Sequence, residues 1–122
     1  AIKARFTQVK VLAIGTNSLA ASAMLRSGAD AIATGENPVV VAARTADLIV
    51  GPLGIITADA LHGEITPAMA LAVAQSRAHK ILLPISKCNV SIVGRQDLSL
   101  GEMISLALEE IQTFLDSYPP QR

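Results

Sequence analysis

Short apolar runs rich in β-branched residues alternate with alanine-rich stretches along this chain, and each run stops at a cluster of small polar residues. That alternation constrains the fold more than any other feature. Runs that are apolar at every position suit strands buried on both faces, and such strands are joined in parallel by crossover helices. The first run, residues 9–14, ends at Gly15-Thr16-Asn17, where Thr16 or Asn17 can cap a helix over 18–27 that carries Arg26 in its last turn and stops at Gly28. A second strand at 31–34 closes at Gly35-Glu36-Asn37-Pro38. There Asn37 is the expected N-cap and Pro38 the first helical residue, where a missing N–H costs nothing, and the helix covers 39–46. The third run, 48–50, is wholly apolar and so expected to be central; it breaks at Gly51-Pro52-Leu53-Gly54 in a strained loop.

Residues 55–61 fit a short strand and a helical turn equally well. Thr66-Pro67 then repeats the cap-plus-proline start and opens a helix over 67–78 with no charge between Ala68 and Ala74. A helix so apolar is either sandwiched within the domain or turned toward another subunit. A fourth strand is expected at 81–85 and a short fifth at 90–93. The last helix is marked by a capping box, Ser99 with Glu102, and by Leu100, Met103, Ile104, Ala107, Leu108, Ile111, Phe114, Leu115 and Tyr118 on one face; Pro119-Pro120 ends it. The pattern predicts a three-layer Rossmann-like α/β domain, its sheet mostly parallel with helices on both faces, closed by this long amphipathic helix. Residues 1–6 read as the tail of a helix feeding the first strand. Doubly wound folds open with a strand, so a βα unit is expected ahead of Ala1.

Composition narrows the partners. The 122 residues form one domain by length, with ten basic side chains against ten acidic ones. A neutral chain of interspersed sign with three aromatics, Phe6, Phe114 and Tyr118, has neither the electrostatic footprint nor the stacking platform for nucleic acid. No apolar run approaches the roughly 18 residues of a membrane span and no signal-peptide pattern opens the sequence, so the expectation is a cytoplasmic protein with no membrane partner. The single Cys88 excludes an intrachain disulfide and a thiolate-based structural zinc site. Charged residues are 16% of the chain, where about 25% is usual, which predicts apolar surface against a second subunit and hence a homo-oligomer.

Ligands of open parallel sheets bind beyond the carboxyl ends of the strands. The polar clusters would gather along that edge, and the expected contacts are Thr16, Asn17, Thr34, Glu36, Asn37, Gly51, Gly54, Lys87 and Asn89. Glycines admit a close backbone approach, and helix starts at Asn17, Asn37 and Thr66 offer free N–H groups to a small anion such as phosphate. Simple helix capping explains the same three residues. Glu36 can accept ribose hydroxyls or hold a metal, or it can merely favour a helix dipole. His62-Gly63-Glu64 offers one imidazole and no second histidine at ligand spacing, so a loop hydrogen bond is expected and no metal. Lys87 faces either a ligand anion or solvent. Cys88 with His62 and Asp59 could be nucleophile, base and orienter, against the plainer reading of a small buried hydrophobe. His79 reads as a cation at a helix C-terminus. Phosphate-binding GxGxxG and GxxxxGK[ST] stretches are absent from the sequence, and it names no cofactor. Two functions follow: binding of a nucleotide or other phosphorylated small molecule at the strand ends, or a non-catalytic module that assembles through alanine-rich faces at 67–78 and 18–24.

Five stretches carry a resemblance: Ala13-Ile14-Gly15-Thr16-Asn17; Gly28-Ala29-Asp30 with Ala33-Thr34-Gly35-Glu36-Asn37; Gly51-Pro52-Leu53-Gly54-Ile55; Gly63-Glu64-Ile65-Thr66-Pro67-Ala68-Met69-Ala70; and Lys87-Cys88-Asn89-Val90. In that order they resemble an uncharacterised bacterial domain of unknown function, from the start of the chain to about Gly94. The resemblance implies a Rossmann-like fold and an opening apolar strand with a glycine-rich turn of the Asp-Gly-Gln-Gly-Gly-Gly kind, which these 122 residues do not contain. It implies no substrate.

Overall fold

Four of the apolar runs become strands, and the strands pair in parallel. The computed structural model describes residues 1–16, 28–85 and 90–118. Its elements are α1 (Ile2–Arg5), β1 (Leu12–Gly15), β2 (Ala31–Thr34), α2 (Glu36–Ala43), β3 (Leu48–Pro52), a 3-10 turn (Leu53–Ile56), α3 (Pro67–Gln75), β4 (His79–Leu83) and α4 (Leu100–Ser117). Among the described residues the strands form two small parallel sheets, β1 with β2 in the register Leu12↔Ala31 and β3 with β4 in the register Leu48↔His79. The chain is thus a mixed α/β protein ending in a long helix. The helix expected over 18–27 and the terminating prolines lie outside the described residues. Among the described residues β3 pairs on one side only, so the central place expected for it is not seen.

Local chemistry explains where boundaries moved. Strand β1 begins at Leu12, not at residue 9, because Val9 still belongs to a turn in which its N–H donates to the Phe6 carbonyl. Lys3 closes that turn by donating to the carbonyls of Thr7 and Val9, and it pairs with Asp30 at 3.2 Å. Asp30 also accepts from the Val11 N–H at 2.7 Å, which fixes the start of the β1–β2 ladder. That amide and the Lys3 ammonium hold the Asp30 carboxyl below the usual aspartate range.

The start of α2 is a correction. Asn37 is not its N-cap and Pro38 is not its first residue; the helix starts at Glu36, with Gly35 as N-cap at a φ of 99° and no side-chain cap bond. The left-handed turn that glycine allows lets the helix begin earlier than the polar side chain suggested. Pro38 is tolerated as the third helical residue because the N–H it lacks is one of the unpaired donors of the first turn. The Thr66 start of α3 is as expected: its hydroxyl accepts from the Met69 N–H at 3.2 Å, with Pro67 at the first helical position. Likewise Ser99 accepts from the Glu102 N–H and Glu102 from the Ser99 N–H. The Ser99 N–H, and after it the Ser99 hydroxyl, holds the Glu102 carboxyl below its ordinary range.

Two further expectations are overturned. Helix α3 ends at Gln75, since the Ser76 hydroxyl donates to the Ala43 carbonyl and pins the ends of α2 and α3 together. His79 is therefore the first residue of β4, not a helix-terminal cation, and its ring stacks on Phe114 at 5.4 Å. The strand expected at 90–93 does not form; these residues make no ladder among the described residues and stand exposed. Residues 55–61 resolve into the 3-10 turn followed by further turns.

Two apolar clusters hold the elements together. Phe6, Ile81, Ala107 and Ile111 form one, with Leu48, Val50 and Leu83 packed against it, so α1 and α4 share a core with β3 and β4. Ala60, Ile65, Met69 and Ala70 form the other, with Val39 and Ile55 against it, which joins α2 and α3 through the turn region. Of the α4 face read from the sequence, Met103, Ala107 and Ile111 are buried, while Leu100 and Ile104 remain exposed.

Candidate functional site

The carboxyl ends of β1 and β2 are tied to the start of α3 by two hydrogen bonds between a hydroxyl and a carboxylate. Just past β1, the Thr16 hydroxyl donates to Glu64 Oε1 at 2.5 Å. Just past β2, Glu36 Oε1 accepts from the Thr66 hydroxyl at 2.5 Å. Because Thr66 also receives the Met69 N–H, a short relay runs from the backbone of α3 through the hydroxyl to the carboxylate. Glu36 thereby sits in the first turn of α2 and against the N-cap of α3, at the positive ends of two helix dipoles. The protein's own carboxylate already holds the place an outside anion would take. Both bonds are exposed, so a competing hydroxyl can reach them.

The loop between β3 and α3 presents Glu64. Asp59, Leu61 and His62 all have positive φ, at 67°, 56° and 56°, conformations that cost a non-glycine residue roughly 1 kcal/mol or more. They persist because the turn is closed by hydrogen bonds from the Asp59 N–H to the Ile65 carbonyl and from the Gly63 N–H to the Asp59 carbonyl. Ala60 and Ile65 anchor it in the second apolar cluster.

The expected contact residues are placed as follows. Thr16 and Glu36 take part in the two bonds, Thr34 is exposed at the end of β2, and Asn37 is exposed in the first turn of α2. Gly51 lies in β3 and Gly54 in the 3-10 turn, where an added Cβ would come within 3.0 Å of Ile55 Cδ1 and 3.3 Å of Ala60 Cβ respectively. Both glycines are packed closely against the chain itself and offer no open approach. The open approach lies instead at Gly35, whose added Cβ would meet nothing within 4 Å. Asn17, Lys87 and Asn89 lie outside the described residues, as does Cys88, so its arrangement with His62 and Asp59 does too. Among the described residues no group of three or more His, Cys, Asp or Glu is placed to hold a metal ion, and no helix is long and apolar enough to cross a membrane. Sequence reasoning missed the part played by Glu64, which it read only beside His62. Nothing in the spacing could have found the bond to Thr16, 48 residues away.

These features define a class: a mixed α/β domain of parallel strand pairs, with carboxylates and hydroxyls collected where the strands end. Residues 1–116 match the model of the family described as Domain of unknown function (DUF3842), and the chain belongs to that family. No curated protein and no solved structure matches it.

Proposed function

We propose that this protein binds a nucleotide or another phosphorylated small molecule at the carboxyl ends of its strands, with Glu36 and Glu64 receiving ligand hydroxyls. The observation that carries this reading is the pair of exposed hydroxyl–carboxylate bonds, Thr16–Glu64 and Thr66–Glu36. A diol such as ribose replaces a threonine hydroxyl on a carboxylate like for like, so the exchange loses no hydrogen bond. The open space over Gly35 supports the approach of a ligand beside Glu36. The ligand's phosphate is assigned away from Glu36, since a phosphate against that carboxylate would meet like charge.

The same reading includes a three-layer Rossmann-like arrangement in which helices cover both faces of the parallel strands. Parallel pairing in both sheets and the division of the core into two clusters support it. The test is a thermal-shift panel of nucleotides, dinucleotide cofactors and sugar phosphates. At least one should raise the melting temperature, and Glu36→Gln should abolish that rise. A panel with no stabilising member overturns the reading.

A further inference from the structure

An apolar groove lies on the side of the molecule where β4 ends, lined by Leu83 and Pro84. It has a volume of about 400 Å³ between β4, the segment 92–98 and α4, and is lined also by Ile92, Val93 and Leu106, with Arg95 and Glu110 on its walls. We infer that this groove is a two-fold interface with a second copy of the same chain. Three observations select that occupant.

The first is charge. Arg95 and Glu110 carry opposite signs on one groove, and neither side chain has a hydrogen-bond or ion-pair partner among the described residues. In a two-fold contact a residue i of one copy meets a residue j of the other and j meets i, so a groove holding one cation and one anion can pair Arg95 with Glu110 twice and complements itself. The second is shape. Val93 is fully exposed on the rim of the groove it helps to line, at the tip of a turn completed by Gly94 with its φ of 87°. One chain therefore supplies both a projecting apolar side chain and the apolar groove that can take it, which is what an isologous contact requires. The third is extent. Exposed apolar side chains continue beyond the groove, at Val90 before it and along α4 at Leu100, one turn ahead of Met103. A small molecule filling the groove would leave them in water, whereas a protein surface would cover them. The formal net charge of zero adds no repulsion between copies.

Sedimentation velocity on the whole chain across the micromolar range tests this. A reversible dimer is expected. Val93→Asp and Leu106→Glu should each weaken it by about tenfold or more, since each would bury an unpaired charge at the centre of the contact. Both positions are exposed, so circular dichroism of the variants should match the parent. Arg95→Glu and Glu110→Arg should each weaken the dimer, and the two together should restore it, an outcome that a general loss of folding cannot produce. A parent that stays monomeric at high micromolar concentration overturns the inference. So does a dimer indifferent to all four substitutions but broken by Leu71→Ser on the exposed side of α3, which would move the contact to the alanine-rich helix.

Discussion

The two parallel strand pairs are built alike and covered differently. In β3–β4 every described position but His79 is buried or half-buried, and α1 and α4 close over it around Phe6, Ile81 and Ile111. In β1–β2 only Gly15 is buried, while Leu12 is 48% and Ile32 36% exposed. Parallel pairing alone therefore does not make a core; the helix laid across the pair does. The covered pair shares its core with two helices, and the open pair carries Thr16, Thr34 and Glu36 at or just past its exposed strand ends.

That contrast is most easily broken by truncating matched side chains. Ile111→Ala, in the covered half, should cost about 2–5 kcal/mol in urea unfolding, the usual result of emptying a buried aliphatic site. Removing the cap that links the two halves comes next. Thr66→Ala should cost about 1 kcal/mol by the same measurement, through the lost N-cap of α3. Ile32→Ala, in the open half, should cost less than about 0.5 kcal/mol, as for most exposed positions. Equal losses for Ile111→Ala and Ile32→Ala would erase the distinction between the pairs.

The smallest effect is a pH dependence at the start of β1–β2. Asp30 has its carboxyl lowered in the folded protein, first by the Val11 amide and then by Lys3. Its contribution is complete above the unfolded aspartate value and disappears as pH falls through the lower, folded one. Asp30→Asn should therefore destabilise at neutral pH, with the gap to the parent closing on acidification. A gap that is the same at neutral and strongly acid pH would contradict the role given to this carboxylate.

What was legible in the sequence divides along similar lines. Signals contained in one turn of helix were readable: the Ser99–Glu102 box and the Thr66-Pro67 start both form as their residues suggest. The strand at 31–34 and its parallel pairing followed from composition and alternation. Asn37-Pro38 misled because it imitates Thr66-Pro67, while the left-handed backbone of Gly35, invisible to a side-chain rule, had already begun the helix. Residues 90–93 misled because β-branched character supplies only a willingness to pair, and a strand needs a partner. His79 was misplaced by the three residues between the predicted and actual ends of α3. At the candidate site, Thr16 and Glu36 were legible as polar strand ends, but their partners Glu64 and Thr66 come from 48 and 30 residues away. Such pairings exist only once β3 and α3 have been laid beside β1 and β2.

The central claim is that the open pair ends in a ligand site. It is tested most directly by amide NMR titration of the isotopically labelled chain with adenosine monophosphate, a dinucleotide cofactor and ribose 5-phosphate. The account predicts shift changes at Thr34, Gly35, Glu36 and Thr66 with at least one of these, lost in Glu36→Gln. Spectra unmoved by all three, or changes confined to the groove beside α4, would contradict it.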